Sequence, residues 1–275
     1  MNTIIINIFI ADVPPFMGGS AFVLTSSVLY DILITEHIFC LCLEVSNMCM
    51  SLRIEPKEMA EILIKIRKMP LAQEMSVKLG KGLLMSGDLY PSDIAPVLAP
   101  NKYGNMAVFP MAWGFTHKAT PKPLVNCRVE TADSRPLWRD SWYRRRCVIP
   151  ASWYYEWGYP VYEDDSRSMI EHRNTKKVKF AIQTEGSDRT FIAGLYRYEE
   201  HGGMQLPMFS ILTRESAGTV KDIHDRMPLI LDKENVKEWI RPNGDPSAIV
   251  EKALSNMVFE RAVEYPRFPP EIITA

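Results

Sequence analysis

The sequence predicts an α+β domain built on antiparallel β-sheet. Short apolar segments of strand length follow one another between residues 107 and 213, and helical patterns lie on either side of that region. The chain of 275 residues contains no internal repeat and no low-complexity tract. Strands interspersed with a few helices at both ends are typical of α+β folds.

The first predicted helix begins near residue 56. Pro56 suits the first turn, and Glu58 suits the positive end of the helix dipole. The apolar residues that follow at helical spacing are Met59, Ile62, Leu63, Ile66 and Met69. Residues 86–100 contain three prolines and are predicted to form a loop.

Strands are predicted next, at residues 107–113, 147–157, 178–184, 191–198 and 208–213, with a closing strand at 257–263. Between the last two of these strands, Asp232 can cap a helix that ends before Pro242. Residues 245–254 are predicted to form another helix.

The first 47 residues differ in composition from the rest of the chain. They contain no Lys or Arg, whereas all 32 basic residues lie from Arg53 onward. A secretory signal needs a basic region before its apolar stretch, and the apolar runs here are shorter than the roughly 18 to 20 residues of a membrane-spanning helix. We expect residues 1–47 to be an atypical leader outside the fold. It is an incorrectly assigned start, a propeptide removed at Met48 or Cys49, or an anchor or packing segment.

Residues 48–275 have the length of one domain and a nearly balanced charge. They hold 32 basic side chains and 29 of the chain's 33 acidic ones, so a nucleic-acid contact would depend on a local patch. The five cysteines include no Cys-x-x-Cys pair and the five histidines are scattered. This pattern predicts no metal site and no cofactor, and reduced thiols favour a cytoplasmic protein.

Polar residues alternate in the segment NCRVET. Asn126, Arg128 and Glu130 would all point to one side in extended backbone. They fit either a polar site that needs a partner or a buried hydrogen-bond network that fixes a loop.

An acidic residue ends the apolar segment CVIPASWYYEW. Glu156 lies between Tyr155 and Trp157, and aromatic surroundings would raise the pKa of its carboxyl towards the range of a general acid. The alternative is a carboxylate that is paired with an arginine.

Two further candidates carry nucleophilic or proton-transfer groups. His224, in DIHDRMPLIL, is either a structural hydrogen-bonder before a strand or a proton carrier, because its unperturbed pKa lies near 6.5. An isolated cysteine such as Cys49 is most often a small buried hydrophobe. If Met48 is removed, however, Cys49 carries both a thiol and a free α-amine.

These segments together resemble the SRAP family (SOS response-associated peptidase). The matching blocks, in the family's order and spacing, are Met48-Cys49, NCRVETA, RRRCVIPASWYYEW and HDRMPLIL, with MAWGF and SILTRE as two further blocks. The resemblance covers residues 48 to about 265. It implies a single SRAP-like domain, 48–275, with a barrel-like antiparallel sheet and flanking helices. After the cysteine, this chain has Met50-Ser51-Leu52 where the family usually has Gly-Arg-Phe/Tyr.

The family resemblance also implies a reaction. SRAP proteins recognise abasic sites in single-stranded DNA, particularly near replication forks, and link to them covalently. Cys49 would be the nucleophile, Asn126 would position it, Glu156 would be the acid/base, and a positively charged His224 would assist opening of the sugar ring. The α-amine would attack the open-chain aldehyde to give an imine, and the thiol would then close a thiazolidine ring.

The resemblance assigns DNA contacts to four further side chains. Arg128 and, more weakly, Arg226 would contact phosphate, while Trp113 and Trp157 would line the DNA path. Binding of this kind depends on phosphate contacts and stacking and reads bases little. The expected partner is single-stranded DNA with abasic sites, bound by a monomeric protein without a membrane contact, in the cytoplasm or, in a bacterium, on the nucleoid.

Two other functions remain open at this stage. One is a cysteine peptidase in which Cys49, His224 and Asn126 form a Cys/His/Asn arrangement and cleave the chain before Cys49. The other is a single-stranded DNA-binding module that forms no crosslink.

Overall fold

The computed structural model describes residues 51–159, 176–244, 246–262 and 272–273. Predictions for Met48, Cys49, Met50 and the leader therefore lie outside the described residues. The chain divides into two units, Met1–Ser46 and Asn47–Ala275, and all described residues belong to the second.

Strands dominate the described residues, and short helices lie mainly before and after the central strands. In chain order the elements are β1 (Ser51–Ile54), α1 (Pro56–Arg67), α2 (Pro70–Leu79), β2 (Leu83–Leu84), β3 (Gly87–Leu89), β4 (Ile94–Pro100), β5 (Met106–Trp113), β6 (Phe115–His117), β7 (Thr120–Leu124), β8 (Asn126–Arg128), α3 (Pro136–Arg144), β9 (Arg146–Ala151), β10 (Trp153–Gly158), β11 (Val178–Thr184), β12 (Thr190–His201), β13 (Met204–Glu215), β14 (Arg226–Pro228), β15 (Ile230–Leu231), α4 (Val236–Trp239), α5 (Ser247–Val250), β16 (Met257–Arg261) and β17 (Ile272–Ile273). Short 3-10 turns lie at Val129–Thr131, Gly218–Asp222 and Lys233–Asn235.

Five of the strands close into a barrel in the order β4, β5, β13, β12, β9 and back to β4. All of these neighbours are antiparallel except β5 and β13, which run parallel. Strands β8 and β14 add to β13, the first in parallel and the second antiparallel. The predicted α+β fold with a barrel-like, largely antiparallel sheet is confirmed.

A second sheet has the order β16, β11, β10, β1, β3 and is antiparallel throughout. The predicted strand 147–157 is in fact two strands, one in each sheet, with a bend at Ser152 between them. The backbone N–H of Ser152 donates to the carbonyl of Arg53, and its hydroxyl accepts from the N–H of Glu55. These bonds tie the bend to β1 and carry the chain from the barrel into the second sheet.

The loop predicted for residues 86–100 is wrong, because the segment holds β3 and the barrel strand β4. Prolines are rare inside sheets because they lack an N–H donor. Here Pro96 lies opposite Pro110 of β5. The two backbone positions that lack an N–H donor are therefore paired with each other. The predicted helix over 245–254 is shorter in the structure, and Asp245 lies outside the described residues.

The apolar stripe of α1 packs as its spacing predicts. Met59, Leu63 and Ile66 are buried in the core. Asp232 accepts from the N–H of Glu234, which confirms its capping role, although a 3-10 turn precedes α4. In the part of the chain that the structure describes, no helix is long and apolar enough to cross a membrane.

Candidate functional site

The end of β10 places a buried carboxyl next to an exposed aromatic ring. Glu156 is 2% exposed and Trp157 is 52% exposed, because successive side chains of a strand point to opposite faces. The backbone N–H of Trp157 donates to Oε1 of Glu156 at 3.2 Å. Strands β1 and β11 flank this end of β10, with Ser51 opposite Tyr155. The burial of Glu156 agrees with the desolvated carboxyl that the sequence predicts.

A glycine brings the histidine segment against β10. A Cβ on Gly158 would lie 2.7 Å from Cγ2 and 2.8 Å from the carbonyl oxygen of Ile223, so only glycine permits this approach. Gly158 shares its face of β10 with Glu156, and Ile223 immediately precedes His224. The contact thus brings the segment that carries His224 to the face of β10 that carries Glu156.

His224 is largely buried, and two neighbouring groups contact its Nδ1. Nδ1 accepts from the backbone N–H of Arg226 at 3.1 Å and lies 2.7 Å from Oδ1 of Asp225. Burial lowers the pKa of His224, and Lys177 adds to this effect while Asp225 opposes it. The lowered pKa favours the neutral ring over the cation that the sequence led us to expect, and Asp225 beside Nδ1 opposes this effect.

Arg226 holds two segments of the site together. Its Nη1 and Nη2 donate to the two carboxylate oxygens of Glu130 at 2.5 and 2.9 Å, and Nη2 also donates to the carbonyl of Thr213 at 2.9 Å. Burial raises the pKa of Glu130, but the bonds from Arg226 outweigh it and hold the pKa below its usual value. The side chain of Arg226 is only 12% exposed and is committed to protein partners, which contradicts the predicted phosphate contact.

Asn126 and Arg128 lie on β8, beside β13. Asn126 is paired with Ile211 and Arg128 with Thr213. The predicted alternation does not extend to Glu130, because the strand ends at Arg128 and a 3-10 turn begins at the next residue. Glu130 belongs instead to the hydrogen-bond network of Arg226, although its side chain is 46% exposed and the network is therefore not the fully buried one of the alternative.

Trp113 belongs to the core. It is fully buried, stacks on Phe209 with ring centroids 5.9 Å apart, and donates from Nε1 to the carbonyl of Val125 at 3.0 Å. This placement contradicts the prediction that Trp113 lines the DNA path. The exposed ring of Trp157 is consistent with such a role.

The two cysteines within the described residues are structural. Cys127 and Cys147 are buried, and burial raises the pKa of both thiols, which disfavours the reactive thiolate. Among the described residues no group of three or more His, Cys, Asp or Glu side chains could hold a metal ion. The nucleophile predicted from the sequence, Cys49, lies outside the described residues.

Sequence reasoning missed the contacts that join the segments. Gly158 and Thr213 bring the separate motifs together, but neither carries a reactive group that would single it out. Gly158 directly follows the Tyr-Glu-Trp run, and a glycine at the end of an apolar strand is a signal of close backbone approach.

The family of this chain follows from its similarity to known proteins. The family model described as SOS response associated peptidase (SRAP) matches residues 50–266. The chain belongs to the SRAP family. Two solved structures share its fold: one from Bacteroides thetaiotaomicron has a TM-score of 0.58 and 18% identity and covers 78% of this chain and 93% of its own. Another from Bordetella bronchiseptica has a TM-score of 0.54 and 18% identity, with coverages of 78% and 100%.

Several curated SRAP relatives are named for abasic sites. The chain is 30% identical over 175 residues to "Abasic site processing protein YoqW" of Bacillus subtilis, across 59% of this chain and 73% of the relative. It is 37% identical over 120 residues to "Abasic site processing protein YoaM" of the same organism, across 43% of this chain and 48% of the relative. "Abasic site processing protein YedK" of Escherichia coli is 29% identical over 133 residues, across 48% and 54%. The chain thus spans about half the length of YoaM and YedK.

Proposed function

We propose that this SRAP protein processes abasic sites in single-stranded DNA by forming a covalent thiazolidine crosslink through Cys49, once residues 1–48 are removed. The observation that carries the proposal is the end of β10, where the contact of Gly158 with Ile223 brings the segment of His224 to the face of buried Glu156, and Trp157 is exposed next in the chain. The names of the SRAP relatives supply the substrate class.

The position of Cys49 along the chain agrees with this site. Two residues can span at most about 7 Å, so covalent geometry ties Cys49 to the neighbourhood of Ser51. Ser51 pairs with Tyr155, the residue before Glu156. An N-terminal cysteine at this point is within reach of a sugar that lies against the end of β10.

The reaction needs both groups of one cysteine. The α-amine, with a pKa near 8, attacks the open-chain aldehyde of the abasic sugar, and loss of one water gives an imine. The thiol sulfur then bonds to the imine carbon while its proton moves to the nitrogen. A five-membered thiazolidine results, and ring closure is favoured because both nucleophiles belong to the same residue.

Glu156 and His224 have complementary roles in these steps. Glu156 donates the proton that the leaving water requires, which a buried carboxyl can do in its neutral form. His224 donates a hydrogen bond to the sugar oxygen that is released when the ring opens and stabilises the charge that develops there. Asn126, on β8, positions the N-terminal residue.

Single-stranded DNA would meet an aromatic ring and a guanidinium. Trp157 offers an exposed ring on which a base can stack, a contact worth about 1 to 3 kcal/mol. Arg128 is exposed at the end of β8 and would contact phosphate. Neither contact reads a particular base, so binding would depend on the lesion and not on sequence.

The decisive test uses the full chain and a 49–275 protein with an oligonucleotide that carries one abasic site. We expect the 49–275 protein to form an adduct that survives denaturant and whose mass equals protein plus DNA minus one water. Cys49→Ala should abolish the thiazolidine, because its α-amine alone gives a reversible imine. A folded 49–275 protein that leaves the intact lesion unmodified would refute the proposal.

Intact mass of the purified full chain separates the remaining functions. A product that begins at Cys49, and that Cys49→Ala prevents, indicates self-cleavage of the peptidase type and supplies the free amine. A chain that keeps Met1 and binds single-stranded DNA without an adduct indicates a binding module.

A further inference from the structure

One lysine lies beside the proposed reaction site without a role in the reaction described above. Lys177 immediately precedes β11, and Val178, the first residue of that strand, pairs with Gly158 at the end of β10. Gly158 is the residue whose close contact with Ile223 brings the segment of His224 to the site. Strand pairing therefore places Lys177 near the junction of β10 and the segment of His224.

The side chain of Lys177 interacts with groups at this junction. Its Nζ lies 5.7 Å from the ring centroid of Tyr159, the residue that follows Gly158. Burial is the main cause of the lowered pKa of His224, and the positive charge of Lys177 adds to it. Because β11 begins only at Val178, the sheet does not separate Lys177 from His224.

The amine of Lys177 is less committed to protein partners than that of the next lysine along the chain. Nζ of Lys179 lies 3.8 Å from Oδ2 of Asp88 and 3.5 Å from the ring centroid of Tyr155. Lys177 is exposed and, within the described parts of the chain, forms no ion pair with a carboxylate. Its amine is therefore available to a ligand that occupies the site.

The lesion that this site would hold offers an electrophile to such an amine. An abasic sugar in its open form carries an aldehyde, and lysine amines form imines with carbonyl groups. The reaction also needs a proton donor for the leaving water. Glu156 is buried two residues before Gly158, a separation of about 7 Å along the strand, so the same acid can serve a second amine.

A second amine matters most in a chain that keeps its leader. With residues 1–48 in place, the nitrogen of Cys49 belongs to a peptide bond and cannot attack an aldehyde. The ε-amine of Lys177 needs no cleavage of the chain to become a nucleophile.

We propose that Lys177 is a second nucleophile of this site and forms an imine with the open-chain aldehyde of a bound abasic sugar. The inference rests on the proposed function for the identity of the lesion, but it does not require the free amine of Cys49.

The step balances without any co-reactant. The ammonium of Lys177 releases one proton to water, and the lone pair of Nζ then forms a bond to the aldehyde carbon. The two protons that remain on the nitrogen end on the carbonyl oxygen, one of them relayed by Glu156, and that oxygen leaves as water. The imine stays reversible, because lysine has no neighbouring thiol that could close a thiazolidine.

Borohydride trapping with an oligonucleotide that carries one abasic site tests the inference. Reduction converts the imine into a stable secondary amine, so the trapped product has the mass of protein plus DNA minus one water plus two hydrogens. The protein is the full chain with Cys49→Ala, which cannot form the thiazolidine. We expect a trapped adduct in which protease digestion and mass spectrometry locate the reduced sugar on Lys177.

Two further variants in the Cys49→Ala chain separate nucleophile from charge. Lys177→Arg keeps the positive charge but removes the nucleophilic amine, and it should lower the yield of trapped adduct about tenfold, because scattered surface lysines lack the proximity of a positioned amine. Its affinity for lesion-free single-stranded DNA, measured by fluorescence anisotropy, should not change. Lys176→Arg, at the neighbouring exposed lysine, is the matched control and should leave trapping at its original level.

The outcomes separate this inference from the proposed function. Equal trapping by Lys177→Arg and Lys176→Arg, a reduced sugar on another residue, or no trapped adduct would each overturn it. If nothing is trapped while the 49–275 protein forms the thiazolidine, the proposed function stands without Lys177. If Lys177 is trapped while the 49–275 protein forms no thiazolidine, the lysine reacts and the reaction of Cys49 fails.

Discussion

Arg146 and Arg226 lie in two different regions and make different bonds, although both belong to blocks that match the SRAP family. Arg146, at the start of β9, is 2% exposed and donates to backbone carbonyls of Trp142, Tyr143, Trp239, Arg241 and Gly244. Arg226, at the start of β14, donates to the carboxylate of Glu130 and the carbonyl of Thr213.

The same side chain therefore has two roles, and the groups that accept its hydrogen bonds decide which one it has. Carbonyls at the ends of helices have no intrahelical donor, and Arg146 supplies donors to the ends of α3 and α4 at once. Arg226 instead joins the turn after β8 to the segment of His224 through a bidentate ion pair. The first arrangement stabilises the fold, and the second positions groups within the proposed site.

Arg146→Met should have the largest effect on stability. It removes donors from several carbonyls that are then left in a buried environment, and we expect a loss of about 4 kcal/mol in the free energy of unfolding, measured with chemical denaturant. Arg144→Met is the matched control, because that side chain is 68% exposed, and it should change stability by less than about 0.5 kcal/mol. Equal losses in the two variants would remove the distinction between the two regions.

Glu156→Gln should have the largest effect on the reaction. The amide cannot donate the proton that the leaving water needs, so adduct formation should slow by about 100-fold while affinity for DNA stays nearly unchanged. The rate is measured as denaturant-resistant adduct formed over time. Glu260→Gln, on the exposed part of β16, should react at the parental rate. If Glu156→Gln loses DNA binding together with the reaction, the carboxyl is structural.

Arg226→Lys should have an intermediate effect. The ammonium keeps the charge but cannot contact both oxygens of Glu130 and the carbonyl of Thr213 in the same planar geometry. We expect a loss of about 1 to 2 kcal/mol in the free energy of unfolding. Arg241→Lys affects a surface pair with Glu238 and should be nearly neutral. If Arg226→Lys lowers the free energy of unfolding as much as Arg146→Met does, Arg226 mainly stabilises the fold, as Arg146 does.

Much of the fold could be predicted because periodicity and turn residues act locally. The stripe of α1 and the strands β5 and β11 follow from the spacing of apolar residues. The barrel strand β4 could not be predicted from its prolines, since their tolerance depends on Pro110 lying opposite Pro96. That pairing is a tertiary property.

The candidate site shows the same division. Residue chemistry and motif order singled out Glu156 and His224 as candidates, and the structure brings their segments together through Gly158. The burial of Trp113 and the commitment of Arg226 to Glu130 depend on segments that are distant in sequence. Residue type identifies which side chains can react, whereas packing decides which of them can meet DNA.

The smallest predicted effect is a pH dependence that distinguishes the two arginines. The pKa of Glu130 is held below its ordinary value of 4.5, so its contribution to stability is complete above that value and is lost as the pH falls through the folded pKa. The pKa of His224 is also lowered, from 6.5, and its contribution is complete above 6.5 and is lost as the pH falls below it. Two steps should therefore appear when the free energy of unfolding is followed towards acid.

Arg226→Met should flatten the lower step, because Glu130 then loses the partner that lowers its pKa, and should leave the upper step, below 6.5, in place. Arg146→Met should lower the whole curve without changing either step, because the backbone carbonyls that it releases do not titrate. His224→Gln should remove only the upper step. If Arg226→Met leaves the lower step unchanged, the ion pair with Glu130 does not link the turn after β8 to the segment of His224 in solution.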